Sequence, residues 1–135
     1  MTSSVPMLGL TRILILVLAL GLALTAWAGE RIHFARGNDN AAVKGQVTGQ
    51  AHRDYVLGAR AGQTLSVSLI TKGNAYFNIL LPGSRDTAIF IGSRDGADAS
   101  VRLPADGDYI IRVYLMGNAK DSGHTAHFTL SVAIM

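Results

Sequence analysis

The chain has 135 residues, with twelve Lys and Arg against nine Asp and Glu, a net charge of +3 and no cysteine. These numbers exclude a disulfide framework, a thiolate metal site and a thiol nucleophile. The near balance of charge also leaves no basic patch able to neutralise a run of phosphates, which argues against a nucleic-acid partner.

In chain order the first signal is Arg12, an apolar run over residues 13–24 and the series Ala26-Trp27-Ala28. A positive charge, a short apolar stretch and small residues in A-x-A spacing form the layout of a secretory signal peptide. Residues 1–28 are therefore expected to be removed, leaving 29–135 as one exported domain, periplasmic or secreted and no longer tied to the membrane. The alternative is an uncleaved anchor, because the apolar run approaches the roughly 17 residues that a membrane span needs. Only Arg12 among the charged side chains leaves with the leader, so the remaining domain is still nearly neutral.

From there on, apolar and polar residues alternate in short stretches separated by turn residues at the 8 to 12 spacing typical of sandwiches and barrels. Ile32 and Phe34 suggest a first strand and residues 42–47 a second, while Tyr55, Leu57 and Ala59 share one face of a third. Ala61-Gly62 reads as a turn, and Leu65, Val67 and Leu69 then alternate with Thr64, Ser66 and Ser68, the period of a strand with one wet face. Residues 76–81 are more uniformly apolar, as in a central strand, and stop at the turn pair Pro82-Gly83. Short strands are expected over 88–91 and 100–103, with a surface loop over 92–99 between them. Residues 109–116 are the longest apolar stretch, 117–123 a polar loop and 127–134 the final strand. Eight or nine short strands without room for a crossover helix imply an all-β protein: an antiparallel β-sandwich, jelly-roll-like, in which each half-wet sheet buries its apolar face on the other. A small closed barrel meets the same pattern.

No catalytic constellation emerges from these residues. His124 and His127 have a spacing that on a strand or loop does not bring both rings to one side, and no carboxylate follows to complete a shell. Ser93 in Gly92-Ser93-Arg94-Asp95-Gly96 lacks the G-x-S-x-G elbow of a hydrolase. His52 and Asp54 fall on the same wet side of a strand, as a surface pair. Most of the aspartates sit in turns, where the side chain bonds the local backbone without further function. Asp95 and Asp98 supply too few oxygens for the six to eight that calcium takes. No enzyme and no cofactor are expected. What remains is recognition through loops on a rigid scaffold.

Two stretches carry a resemblance: Tyr55-Val-Leu-Gly-Ala-Arg-Ala-Gly-Gln-Thr-Leu65, and Leu103-Pro-Ala-Asp-Gly-Asp-Tyr-Ile-Ile-Arg-Val113, with Phe34-Ala-Arg-Gly37 upstream. They resemble the jelly-roll domains of the pre-peptidase C-terminal group, and within that group the small periplasmic inhibitors of goose-type lysozyme. The resemblance implies a buried core tyrosine at Tyr109 and a protein partner, a g-type lysozyme. It implies partner contacts at Asp106, Gly107, Tyr109, Arg112 and Lys120. Asp106 stands where those inhibitors commonly have serine, and Gly117 where they have a basic residue. The competing reading is a binding module for an envelope protein or polysaccharide without inhibition.

Overall fold

The structure is a computed structural model that describes residues 29–135; the leader expected over 1–28 lies outside the described residues. Nine strands run in chain order: β1 Glu30–Arg31, β2 Asn40–Thr48, β3 His52–Ala59, β4 Thr64–Thr71, β5 Ala75–Leu80, β6 Ala88–Ile91, β7 Asp98–Arg102, β8 Gly107–Leu115 and β9 Thr125–Ile134. They form two sheets, ordered β1-β3-β8-β5-β6 and β2-β9-β4-β7. From β2 onward every connection except the β5–β6 hairpin passes from one sheet to the other, which is the jelly-roll order with β1 added at one edge. Such winding closes each sheet's apolar face against its partner.

Period-2 alternation decides which side chains go inside. On β4, Leu65, Val67 and Leu69 are buried; on β8, Tyr109, Ile111, Val113 and Leu115; on β9, Ala126, Phe128, Leu130 and Val132. Phe77 stacks on Phe90 with centroids 5.0 Å apart, and Tyr55 meets Phe128 edge-on at 6.2 Å. Room for the Tyr55 ring comes from Gly45 on β2: a methyl there would lie 2.5 Å from the Tyr55 hydroxyl oxygen and 2.7 Å from Phe128 Cζ.

Three local expectations need correction. The first strand is Glu30–Arg31, earlier than Ile32 and Phe34, and it pairs with β3 in parallel rather than antiparallel. Ile32 is buried beyond its end and donates its N–H to Val56 O at 2.9 Å. The segment 92–99 is not all loop. Gly92–Asp95 forms a helical turn, α1, because the Asp95 carboxylate accepts the Ile91 N–H at its start, and β7 begins at Asp98. Likewise the polar loop 117–123 contains a second helical turn, α2, at Gly117–Asp121.

Candidate functional site

The residues expected to meet a partner all lie on or beside β8, and alternation along that strand separates them. Tyr109 points inward and is 0% exposed; its hydroxyl donates to Ala105 O at 2.7 Å and accepts the Ala105 N–H at 3.2 Å. It pins the turn that precedes its own strand and offers nothing to a partner, so its place among the contact residues is corrected, while its place in the core stands. Arg112 points outward and forms a two-pronged pair with Asp54 on β3, Nε to Oδ1 at 2.8 Å and Nη2 to Oδ2 at 2.9 Å. Register explains the meeting, since Asp54, Arg112 and Asn78 are cross-strand partners on β3, β8 and β5. The carboxylate holds the Arg112 guanidinium above its ordinary pKa chiefly through these hydrogen bonds, with partial burial opposing.

Asp106 and Gly107 stand at one end of β8, Lys120 beyond the other. The Asp106 carboxylate accepts the Ala61 N–H at 2.7 Å, tying the β8 entrance to the turn after β3. Gly107 has φ +138 and a methyl on it would lie 2.7 Å from Pro82 Cβ, so it serves close packing at that same end. Nine residues of extended chain place the two ends of β8 roughly 27 Å apart. The five residues therefore do not converge on one surface.

Around Lys120 the picture differs. The loop 116–124 shares its end of the sandwich with the β2–β3 turn, the β4–β5 connection carrying Lys72, and α1 carrying Arg94, as the strand registers place them. Asp95 neutralises Arg94 at 3.0 Å, whereas Lys120 reaches only Asp121, at 4.0 Å and in solvent. Met116, at the start of the loop, is 41% exposed, one of three large apolar side chains left exposed among the described residues. Met116 and Lys120 thus put one exposed apolar side chain and one solvated cation on the same short loop. Nearby on the outer sheet face the rings of Tyr76 and Tyr114 lie 6.1 Å apart, their hydroxyls donating to Asn74 and Asn78 at 2.7 Å each. Sequence reasoning missed Met116 and Tyr76. Met116 is visible as an apolar residue ending the alternation; Tyr76 joins Tyr114 only through strand register, which no single segment encodes.

The remaining candidates are held by their neighbours. The His52 ring lies 3.7 Å from Asp54 on the wet face, as expected of a surface pair, and His124 Nδ1 sits 3.0 Å from Ser122 Oγ. Among the described residues no three His, Asp or Glu side chains gather as a metal site. Asp95 is engaged by Arg94 and the Ile91 N–H, and these hydrogen bonds hold its carboxyl below the ordinary range.

No family model matches this chain, and neither does any curated protein. Solved structures do. A periplasmic lysozyme inhibitor of g-type lysozyme from Aeromonas hydrophila is 34% identical, with a TM-score of 0.75, over 80% of this chain and 96% of that one. A mutant of the corresponding Escherichia coli protein is 25% identical, with a TM-score of 0.64, over 80% of this chain and all of that one. The pre-peptidase C-terminal domain of a Bacillus anthracis collagenase shares the fold at 14% identity and a TM-score of 0.54.

Proposed function

This chain belongs to the family of periplasmic inhibitors of g-type lysozyme, and from that membership we propose that it is exported and blocks such a lysozyme by seating the loop 116–124 in its active-site cleft. The observation that carries the proposal is the 34% identity with the Aeromonas hydrophila inhibitor over 96% of that protein. A family of lysozyme inhibitors is a family of binding proteins, in keeping with a sequence that brings no acid, base and nucleophile together.

Lysozyme chemistry depends on a carboxylic acid kept in a cleft. An inhibitor that fills the cleft and presents a cation to that acid removes both substrate access and the proton donor's freedom. Lys120 is the group for this role, with Met116 as the apolar anchor beside it. The loop is braced by Gly123 and Lys120 lying against Gly49 of the β2–β3 turn, so little ordering entropy is lost on binding. Arg112, held by Asp54, orients the outer face from which Tyr114 leads into the loop. Asp106 and Gly107 maintain the opposite end and act on the fold.

The test is a charge-reversal series. Lys120→Glu should weaken inhibition more than tenfold, about 1.4 kcal/mol, because it sets a negative charge against the acid of the cleft. Lys44→Glu on β2 and Arg102→Glu at the far end of β7 should each change inhibition less than about threefold. Loss through Arg102→Glu with Lys120→Glu intact would move the site to the Gly107 end. Absence of inhibition by the wild type would favour the envelope-binding module.

A further inference from the structure

The leader pattern and the geometry at residue 29 meet on the outer face of the five-stranded sheet. β1 is short, yet the parallel register Glu30↔Tyr55 and the Ile32 N–H to Val56 O bond fix the chain so that Gly29 falls beside Asp54. The approach is close: a methyl on Gly29 would lie 2.8 Å from Asp54 O and 3.0 Å from Asp54 Cβ. Gly29, His52, Asp54, Arg85, Asp108 and Arg112 all border one basin of about 410 Å³.

We propose that the α-ammonium group created at Gly29 when the leader is removed is a built part of this basin, sharing the Asp54 carboxylate with Arg112. The proposal rests on export with cleavage between Ala28 and Gly29. Water adds across that amide; the new carboxylate leaves on Ala28, and the amine stays on Gly29. An α-amine of ordinary pKa, about 7.7 to 8.0, takes up a proton at neutral pH. In the precursor the same nitrogen is a neutral amide, so maturation adds one positive charge to the basin.

Asp54 has capacity for it. Each of its oxygens accepts one Arg112 N–H, and a carboxylate offers about four lone-pair sites. Other titratable and charged groups face the same region from the neighbouring elements. His52 stands 3.7 Å from Asp54, Arg31 holds Asp108 at 2.8 Å, and Arg53 approaches Glu30 at 3.5 Å. Arg85 borders the basin from the β5–β6 loop, and Asp86 acts on Arg112. The carboxylates and guanidinium groups of this set are equal in number, so the set itself adds little net field, and Asp54, whose Cβ faces Gly29, is the acid assigned to the amine. Pairing raises the α-amine pKa. The stability it adds is present below the unfolded value near 8 and disappears as pH rises through the folded value. The device fastens the N-terminal edge strand in the mature chain alone.

The experiment uses protein recovered from the periplasm, its first residue identified by mass spectrometry, with the Gly29 amine titrated by NMR through its Cα shift. A first residue of Gly29 and a midpoint above about 8.5 support the proposal, provided Asp54→Asn returns the midpoint to about 8. Arg112→Gln, which removes the competing cation, should raise the midpoint further, and it answers the question independently should Asp54→Asn fail to fold. An ordinary midpoint in the wild type, an unchanged one in Asp54→Asn, a lower one in Arg112→Gln, or a different first residue overturns it. No lysozyme enters the titration, so failure of the inhibitory function and failure of this device are read separately.

Discussion

Tyr55 carries the only buried side-chain polar atom without a hydrogen-bond partner among the described residues. Its ring fills the notch at Gly45 and meets Phe128 edge-on, while burial pushes the phenol pKa up. The hydroxyl is therefore desolvated without return, and removing it relieves that cost. Tyr55→Phe should leave stability within about 0.5 kcal/mol of wild type or raise it, measured by urea denaturation; a loss above about 1 kcal/mol would mean that the hydroxyl has a partner. Gly45→Ala should cost about 1 to 3 kcal/mol, since its methyl collides with both rings. At the edge of the same sheet, hydrogen bonds from Arg31 hold the Asp108 carboxyl below the usual carboxylate range. A depressed folded value means that the pair's stabilisation is present above the unfolded pKa near 3.9 and is lost as pH falls through the folded value. Hydrogen exchange at Ile32, whose N–H bonds Val56, should therefore speed up relative to β4 amides on acidification, and high salt should mute the difference.

At the scale of the element, β4 tests the face assignment. Val67 is buried against the opposite sheet and Ser66 faces outward. Val67→Ala should cost about 1 to 3 kcal/mol and Ser66→Ala under about 0.5; equal effects would reverse the assignment. Much of the fold was legible at this scale because alternation is a local signal. Leu65, Val67 and Leu69 on β4 and Tyr109, Ile111 and Val113 on β8 announce their faces without any knowledge of neighbours. The first strand is not legible at Glu30–Arg31 because a two-residue parallel pairing has no period of its own; it exists only through the edge of β3. The helical turns α1 and α2 are not legible in the sequence because each is a single turn, too short to show a periodicity of 3.6.

For the whole molecule, the decisive feature is that the sandwich has two ends joined by β8. The sequence motif at Asp106-Gly107 and the cation at Lys120 are close in chain position. An extended strand converts that short separation into roughly 27 Å. The family motif is thus divided by structure into a fold-maintaining end, where Asp106 holds Ala61 and Tyr109 holds Ala105, and an end with a weakly paired cation and an exposed methionine. Arg112 was legible as outward-facing, but its partner Asp54 lies 58 residues away and only strand pairing reveals it.

Inhibition of a g-type lysozyme is the activity on which the rest depends. The most direct measurement is the rate at which a g-type lysozyme clears a peptidoglycan suspension as the domain 29–135 is added. The rate should fall to near zero with half-inhibition at micromolar concentration or below, corresponding to at least about 8 kcal/mol of binding. An undiminished rate at about tenfold above micromolar would contradict it.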